Sequence, residues 1–598
     1  MTFIIDFISY KRTQLGISKR KLSEGLLLNS RYGKIEDGIL NGDKLLLDRI
    51  LSRLDVPANF FEHFVSNEEY ELELLRNQIC DSIFDGDLNE AKNFLVKYTN
   101  LMSHTNIYTQ YTNYIQLKLL EMKNISIHPN SYKKIILQTV PNFEIVNINT
   151  LILDGFEVFL ILKYYDACRN FKDSLELLIY LSKSSLEVTT KRRCFIKLIC
   201  SLSTYLIKNY ENKFLLEMCD KAIEIMRCQQ EFYNFDCILE IKITLLNSKN
   251  TSEYKNLEMW RKSMVDFCST YNINPNNDNL IEIDCLKSQG YYNISEVIKY
   301  RRNIYGYSQS KLAELTNSIK DPRSISRVEN NHHNLQPKQA QKVLKNLNLT
   351  GDLYSDNIKI DNMDMFELFS KLTYLTSNGR YEEAYETLQQ VQGHLNLDIP
   401  VNLQYIKHKE LTIGEMINPT LTPLEYAKEL EKILAITIPT DTIFEQEHLH
   451  FTKKEVYIIC LIFISLENAQ EYDLMNMWIN TLNTYFDFSN NKITNFNTYV
   501  FFIGSFISIL GNTKKFDKSN ILIQVIFQET NKQGQFEDWI MLAYNFSWNY
   551  WNNLTCKEKL STNIKNQYLI LMTQINSLSK LFYINNFFNG SLLELNNL

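Results

Sequence analysis

The sequence predicts an all-α protein built as two tandem units, each a compact module of short helices followed by a longer array of helix pairs. Three observations carry this. Gly and Pro number only 17 and 10 in 598 residues, well below the roughly 12% of average usage, so long helices joined by short loops are expected. The stretch "GDLNEAKNFL" at 86–95 returns as "GRYEEAYETL" at 379–388, with glycine, alanine and closing leucine in the same order. Finally, "YKRTQLGISKRKLSEG" (10–25) lies over "YRRNIYGYSQSKLAEL" (300–315) at an offset of 290. Three further residues enter the second copy. From Ile35-Glu36 over Val328-Glu329 to Gly86 over Gly379 the offset then holds at 293. A single offset sustained through different motifs indicates duplication.

Residues 1–66 form the first module. Gly16 permits a turn and Ser18 caps the second of its helices, a hydroxyl being able to satisfy free N–H groups there. Its third helix contains Gly33, which costs about 1 kcal/mol against Ala. The basic groups it offers as candidate DNA contacts are Lys19, Arg31 and Lys34. Over 1–66 the chain has ten Lys and Arg against eight Asp and Glu.

Residues 67–289 follow as helix pairs. In "KFLLEMCDKAIEIMR" (213–227) Leu215, Met218, Cys219, Ala222, Ile225 and Met226 recur on one helical face, the pattern of core packing. "NFKDSLELLIYL" (170–181) has the same flavour.

The second module, 290–350, is clearer. Ile294–Ile304 reads as an amphipathic first helix, Gly306 as the turn and Ser308 as the cap of a second helix. "RSISRVE" reads as a third helix with Ile325 and Val328 inward and Arg323, Ser324, Ser326 and Arg327 outward. A fourth follows at Pro337–Leu347. This order presents a recognition helix to the DNA major groove. Here ten Lys and Arg face four Asp and Glu over 295–349, within a chain of formal net charge −6. A basic module on an acidic body is the footprint of phosphate contact on one face. Gln309, Lys320, Arg323, Ser324, Ser326, Arg327 and Arg301 are its candidate DNA-binding residues. Residues 351–598 form the second helical array, with "KKFDKSNILIQVIF" (514–527) as one of its weaker repeats.

Other chemistry is sparse. Val456–Leu466 and Tyr499–Leu510 are apolar but far short of the ~20 residues that span a bilayer. Asp6 interrupts the apolar N-terminus, against a signal peptide. Eleven scattered cysteines without a C-x-x-C pair suit a reducing cytoplasm and no zinc site. No Gly-rich phosphate loop, H-E-x-x-H or G-x-S-x-G occurs, so no enzyme activity and no cofactor are expected. His448 and His450 are a weak metal hint, set on different faces if helical. The aromatic tract "YNFSWNYW" (544–551) reads as core before groove wall.

"YSQSKLAEL…SISRVENN" resembles the Cro/repressor-type (XRE) helix-turn-helix, and "ISKRKLSEGLLLNSRYGKIEDG" a divergent member. The resemblance implies ion pairs between the first helix and the end of the recognition helix, Arg302 with Glu329 and Arg12 with Glu36. "GDLNEAKNFL" and "GRYEEAYETL" resemble the turn and second helix of a tetratricopeptide repeat (TPR). A helix-turn-helix followed by a TPR-like α-solenoid resembles the Rgg/PlcR/PrgX-type (RRNPP) peptide-responsive regulators, and the likeness covers each half of the chain. It implies double-stranded DNA and a short signalling peptide as partners, with asparagines holding the peptide backbone; Asn113, Asn209, Asn545 and Asn549 are the candidates. It also implies that one chain, as a monomeric pseudo-dimer or within a homodimer, holds a dimer's worth of domains. The alternative is a TPR scaffold whose helix-turn-helix modules are structural or contact protein.

Overall fold

The computed structural model describes residues 2–209, 211–246, 251–317, 319, 321–349, 353–354, 358–360, 365–487, 491–555 and 562–582. It is an all-α molecule with a solenoid-like helical arrangement. The chain opens with α1 (Thr2–Gln14), α2 (Lys19–Ser23), α3 (Asn29–Glu36) and α4 (Lys44–Arg53), then the short strand β1 (Phe61–Val65). Helices α5 (Asn67–Asp85), α6 (Leu88–Leu101), α7 (Asn106–Glu121), α8 (Pro129–Thr139) and α9 (Gly155–Cys168) follow. The first array continues through α10 (Phe171–Ser182), α11 (Thr189–Lys208), α12 (Asn212–Cys228), α13 (Phe235–Leu245) and α14 (Ser252–Tyr271).

A connecting helix α15 (Asn279–Leu286) and strand β2 (Tyr291–Asn293) lead into α16 (Ile294–Ile304), α17 (Gln309–Thr316), α18 (Pro322–Glu329) and α19 (Pro337–Asn346). After β3 (Leu353–Tyr354) come α20 (Met365–Ser377), α21 (Tyr381–His394), α22 (Pro400–Ile417), α23 (Pro423–Leu434) and α24 (Lys453–Asn468). The last are α25 (Tyr472–Asp487), α26 (Asn491–Thr494), α27 (Phe496–Asn512), α28 (Phe516–Gln533), α29 (Trp539–Thr555) and α30 (Thr562–Leu581).

Within each array successive helices pack on one another, and α9 on α11 or α27 on α29 adds the next-but-one contact of stacked hairpins. The hairpin α5–α6 turns at Gly86 (φ 82°), and α20–α21 at Gly379 (φ 69°). Ala91 and Ala384 are fully buried at those crossings, with Leu95 and Leu388 beside them. Left-handed residues recur at the 290 or 293 offset elsewhere: Gly16 and Gly306, Gly38 and Asn331, Asp55 and Asn348. Non-glycine residues rarely take positive φ.

Contacts between the halves include two apolar groups. β1 lies between β2, parallel to it, and β3, antiparallel, with Phe61 opposite Tyr354. Phe64 of β1 enters the small core of α16–α19, beside Tyr292, Val297 and Leu312. At the far end α14 packs against α30, and Phe232 meets Phe536 (5.9 Å between ring centroids) and Phe582 (4.7 Å).

The apolar runs at Val456–Leu466 and Tyr499–Leu510 lie in α24 and α27, and no described helix is long and apolar enough to cross a membrane. Leu215, Met218, Cys219, Ala222 and Met226 are buried and Ile225 partly so. The tract 544–551 lies within α29, where Asn545, Ser547 and Asn549 are buried and Tyr544, Phe546, Tyr550 and Trp551 pack on the main core.

Candidate nucleic-acid interface

Helices α16–α19 place the candidate interface. Ser308 accepts a hydrogen bond from the Lys311 N–H (3.1 Å) and starts α17, while Gly306 (φ +63°) makes the turn before it. Asp321 caps α18 by accepting from the Arg323 N–H (3.0 Å), and Pro322 takes the first helical position, where a missing N–H costs nothing. Leu312, Ala313, Ile325 and Val328 are buried between the helices. With that face fixed, the i, i+4 pair Arg323 and Arg327 stands in solvent, and Ser324 and Ser326 are half-exposed beside them. Lys338, Lys342 and Lys345 on α19 are exposed as well, a basic group the pattern reading did not single out.

The Arg302 guanidinium donates to both carboxylate oxygens of Glu329 (Nε 2.6 Å, Nη2 3.0 Å) and to the Tyr307 carbonyl (2.6 Å), tying the first helix to the end of the third. In α1–α4 the same three partners recur: Arg12 donates to Glu36 (2.8 Å) and to the Ile17 carbonyl (2.8 Å). Ser18 caps α2 as Ser308 caps α17.

Several candidates have other work. Arg301 is fully buried, contrary to the expectation of a DNA contact. Its Nη2 donates to Glu455 on α24 (2.8 Å), so it anchors the module to the array. The reason is helical geometry: Arg301 shares the inward face of α16 with Val297, Ile298 and Ile304, and Arg302 does not. Gln309 is half-buried and donates to Glu329 (2.7 Å), completing the carboxylate's shell. Lys19 is drawn to Asp37 (3.1 Å) and Glu36 (3.2 Å), which leaves it poorly placed to meet a phosphate. Arg31 and Lys34 are exposed on α3. Lys320 lies outside the described residues.

The asparagines do not form one site. Asn545 and Asn549 are buried: Asn545 accepts from Ser508 (3.2 Å), and Asn549 donates to Ser519 (2.7 Å) and Asn520 (2.9 Å). They sit on the face of α29 turned to α27 and α28, not on a groove. Asn209 is exposed and donates back to the Tyr205 carbonyl (2.9 Å) at the end of α11, and Asn113 is half-buried on α7. His448 and His450 lie in the segment before α24, not on a helix. His450 is packed edge-on against Tyr292 (4.8 Å), where burial and nearby Arg301 hold its pKa well below the ordinary value. No metal-ligand cluster occurs among the described residues.

Both small modules are bolted to their arrays by buried ions that the sequence reading missed. Around Glu455 gather Arg301 and the Thr437 hydroxyl (2.6 Å), which itself receives Gln404 (2.6 Å). Around Asp154 and Glu157 gather Arg49 and Arg53, with Arg53 Nη2 2.6 Å from Glu157 and Gln110 donating to Thr139 (2.7 Å). Burial and the neighbouring Glu157 raise the Asp154 carboxyl to about 6, against the pull of Arg49. Each carboxylate closes a capping box, Asp154–Glu157 or Thr452–Glu455. That spacing is visible in sequence; the distant arginine is not.

Comparison with known proteins bears on the second module. Residues 298–353 match the family model described as HTH_3, helix-turn-helix. No curated protein and no solved structure matches the chain. The matched segment begins in α16 and runs to β3, and it is an XRE-type helix-turn-helix, the DNA-binding module of regulators.

Proposed function

We propose that the chain is a sequence-specific DNA-binding transcriptional regulator, a covalent pseudo-dimer whose TPR-like arrays sense a short peptide. The observation that carries the DNA reading is α18, which holds Arg323 and Arg327 one turn apart in solvent on a family-matched helix-turn-helix. Arginine pairs bidentately with guanine in the major groove and also meets phosphates.

The pseudo-dimer reading divides the chain at 1–66, 67–289, 290–350 and 351–598, and it draws on pairing between equivalents. At the offset of 293, Phe61 stands opposite its own counterpart, Tyr354, in antiparallel strands. The terminal helices of the two arrays, α14 and α30, pack together. Self-pairing of equivalent parts is the mark of an isologous interface. The recurring left-handed residues and the twin Arg–Glu brackets favour the same origin. For the peptide, the support is the stacked-hairpin architecture, which suits extended ligands. Of the named asparagines only Asn113 and Asn209 remain accessible to one.

A second reading is favoured by one feature of α1–α4. Leu28 (77% exposed) and Ile39 (69%) flank α3, and apolar side chains beside a recognition helix suit protein contact better than phosphate. On this reading only the second module reads DNA.

Selection from random duplexes, with sequencing and a salt titration, separates the two. Two unlike half-sites about one helical turn apart are expected of a pseudo-dimer, and one short half-site of a chain with a single reading module. Retention without enrichment sinks the sequence-specific reading.

A further inference from the structure

A cleft runs between the halves, close to the segment that joins them. It comprises two cavities of about 170 and about 290 Å³, both bounded by Lys287, Ser288, Gln289 and Gln533. The first reaches toward Arg49 and Asp154; the second opens between α5 of the first array and α26–α28 of the second. We infer that this cleft is an effector site for a small zwitterion, an amino acid or dipeptide, whose occupancy is felt by the second helix-turn-helix.

Ser288 gives the first reason. It is 3% exposed, and Asn77 clamps its backbone on both sides, accepting from its N–H (2.8 Å) and donating to its carbonyl (2.9 Å). Its hydroxyl nevertheless has no hydrogen-bond partner among the described residues. A buried hydroxyl left unpaired costs about 1–3 kcal/mol, and Ser288 borders both cavities, so a ligand there that draws the hydroxyl toward it relieves that cost.

The wall charges give the second. Lys287 pairs with Asp81 (2.7 Å), Lys492 with Glu529 (3.1 Å) and Lys532 with Asp85 (2.5 Å), all lining the second cavity. Lys287 also donates to Gln533 (2.6 Å). Acid and base alternate, so an ion of either single sign would desolvate opposing charges it cannot match. An ammonium and a carboxylate on one small molecule match both. Pockets for drug-sized ligands measure roughly 300–1,000 Å³; each of the two cavities lies below that range, so either one alone suits a molecule smaller than a signalling peptide.

The chain path supplies the consequence. The wall residues 287–289 lead directly into Gly290, whose N–H donates to Thr494 (2.9 Å) and whose carbonyl receives the His63 N–H (2.8 Å). β2 and α16 begin immediately after. A ligand gripping Ser288 and Gln289 therefore acts on the strand that orients α16–α19, with Thr494 and His63 as the other fixed points. Such coupling needs only a difference in affinity between two module positions.

The test is calorimetric titration of the full chain with the free L-amino acids and the alanyl dipeptides at millimolar concentration. Saturable binding of one molecule per chain is expected for at least one of them. The same molecule N-acetylated or C-amidated should bind about tenfold or more weakly, and Ser288→Ala should weaken the parent about fivefold. Ser288→Ala should not lower the melting temperature, because the hydroxyl it removes is unpaired in the free protein. Gln533→Leu is the second variant, expected to weaken binding through the opposite wall. Heat from no member of the panel, or binding indifferent to blocking of the termini and to both substitutions, overturns the proposal. Because the heat is read without DNA, failure of the DNA reading would leave this result standing.

Discussion

At matching places on their third helices, α18 sets Arg323 and Arg327 in solvent where α3 has Ser30 and Lys34. Ser326 of α18 stands where α3 has Gly33. The scaffolds beneath are nearly superposable in chemistry: a serine cap, a turn glycine, and an arginine that holds a glutamate and a loop carbonyl at once. What differs is the side facing water. Lys19 is held by Glu36 and Asp37, and Leu28 and Ile39 are bare. Buried polar groups must stay paired or cost several kcal/mol, and each bracket keeps its arginine paired. Exposed positions carry no such constraint, and there the two modules differ.

The largest expected effect tests that difference directly. Arg323→Ala with Arg327→Ala should lower affinity for the selected duplex by about two orders of magnitude or more, since each base-reading arginine is worth about 1–3 kcal/mol. Arg31→Ala with Lys34→Ala should cost only a few-fold, with the slope of affinity against salt scarcely changed. Circular dichroism should be unaltered in both, because all four side chains lie outside the core. Equal losses from the two double variants would mean that the modules read DNA equally and that the contrast between them is superficial.

A smaller effect probes the shared bracket. Glu329→Ala leaves Arg302 mostly buried (13% exposed) with its principal partner gone and frees Gln309 as well. The expected cost is about 3 kcal/mol, toward the lower end for a broken buried pair, read as an earlier urea transition of the second module. Glu36→Ala should cost less, because Lys19 is 40% exposed and can turn to water or to Asp37. The reverse order would show that the first module is the more rigid of the two.

Much of this was legible in the sequence, and the gaps have physical causes. Local signals reported local structure: Gly306 and Ser308 marked the start of α17, and the i, i+3 spacing of Ile325 and Val328 marked which face of α18 was inward. The Arg–Glu brackets were reachable because the resemblance supplied a pairing that spacing alone does not. Arg301 was misjudged because charge counting treats every arginine as surface. Its partner Glu455 lies 154 residues away, and nothing local marks that distance. The cleft at Ser288 was illegible for the same reason, its walls being drawn from α5, the segment before β2, and α26–α28. Asn545 and Asn549 failed for a different one. In a helix that is apolar nearly all round, an amide can be the core's own hydrogen-bonding group, and composition does not distinguish that from a ligand contact.

The smallest effect bears on whether the first module has been abandoned or merely altered. Gly33 lies inside α3 without a positive φ, and a Cβ added there meets nothing within 4 Å. Gly33→Ala should therefore stabilise the helix by about 1 kcal/mol, seen as a later unfolding of that module. At Gly306 the backbone is left-handed (φ +63°), and the same replacement should destabilise by about 1 kcal/mol despite equally open space. The informative readout is DNA affinity. A stiffer α3 that leaves it unchanged means that α3 takes no part in reading. If affinity rises, α3 meets DNA, and the glycine has been tempering the contact of a second half-site.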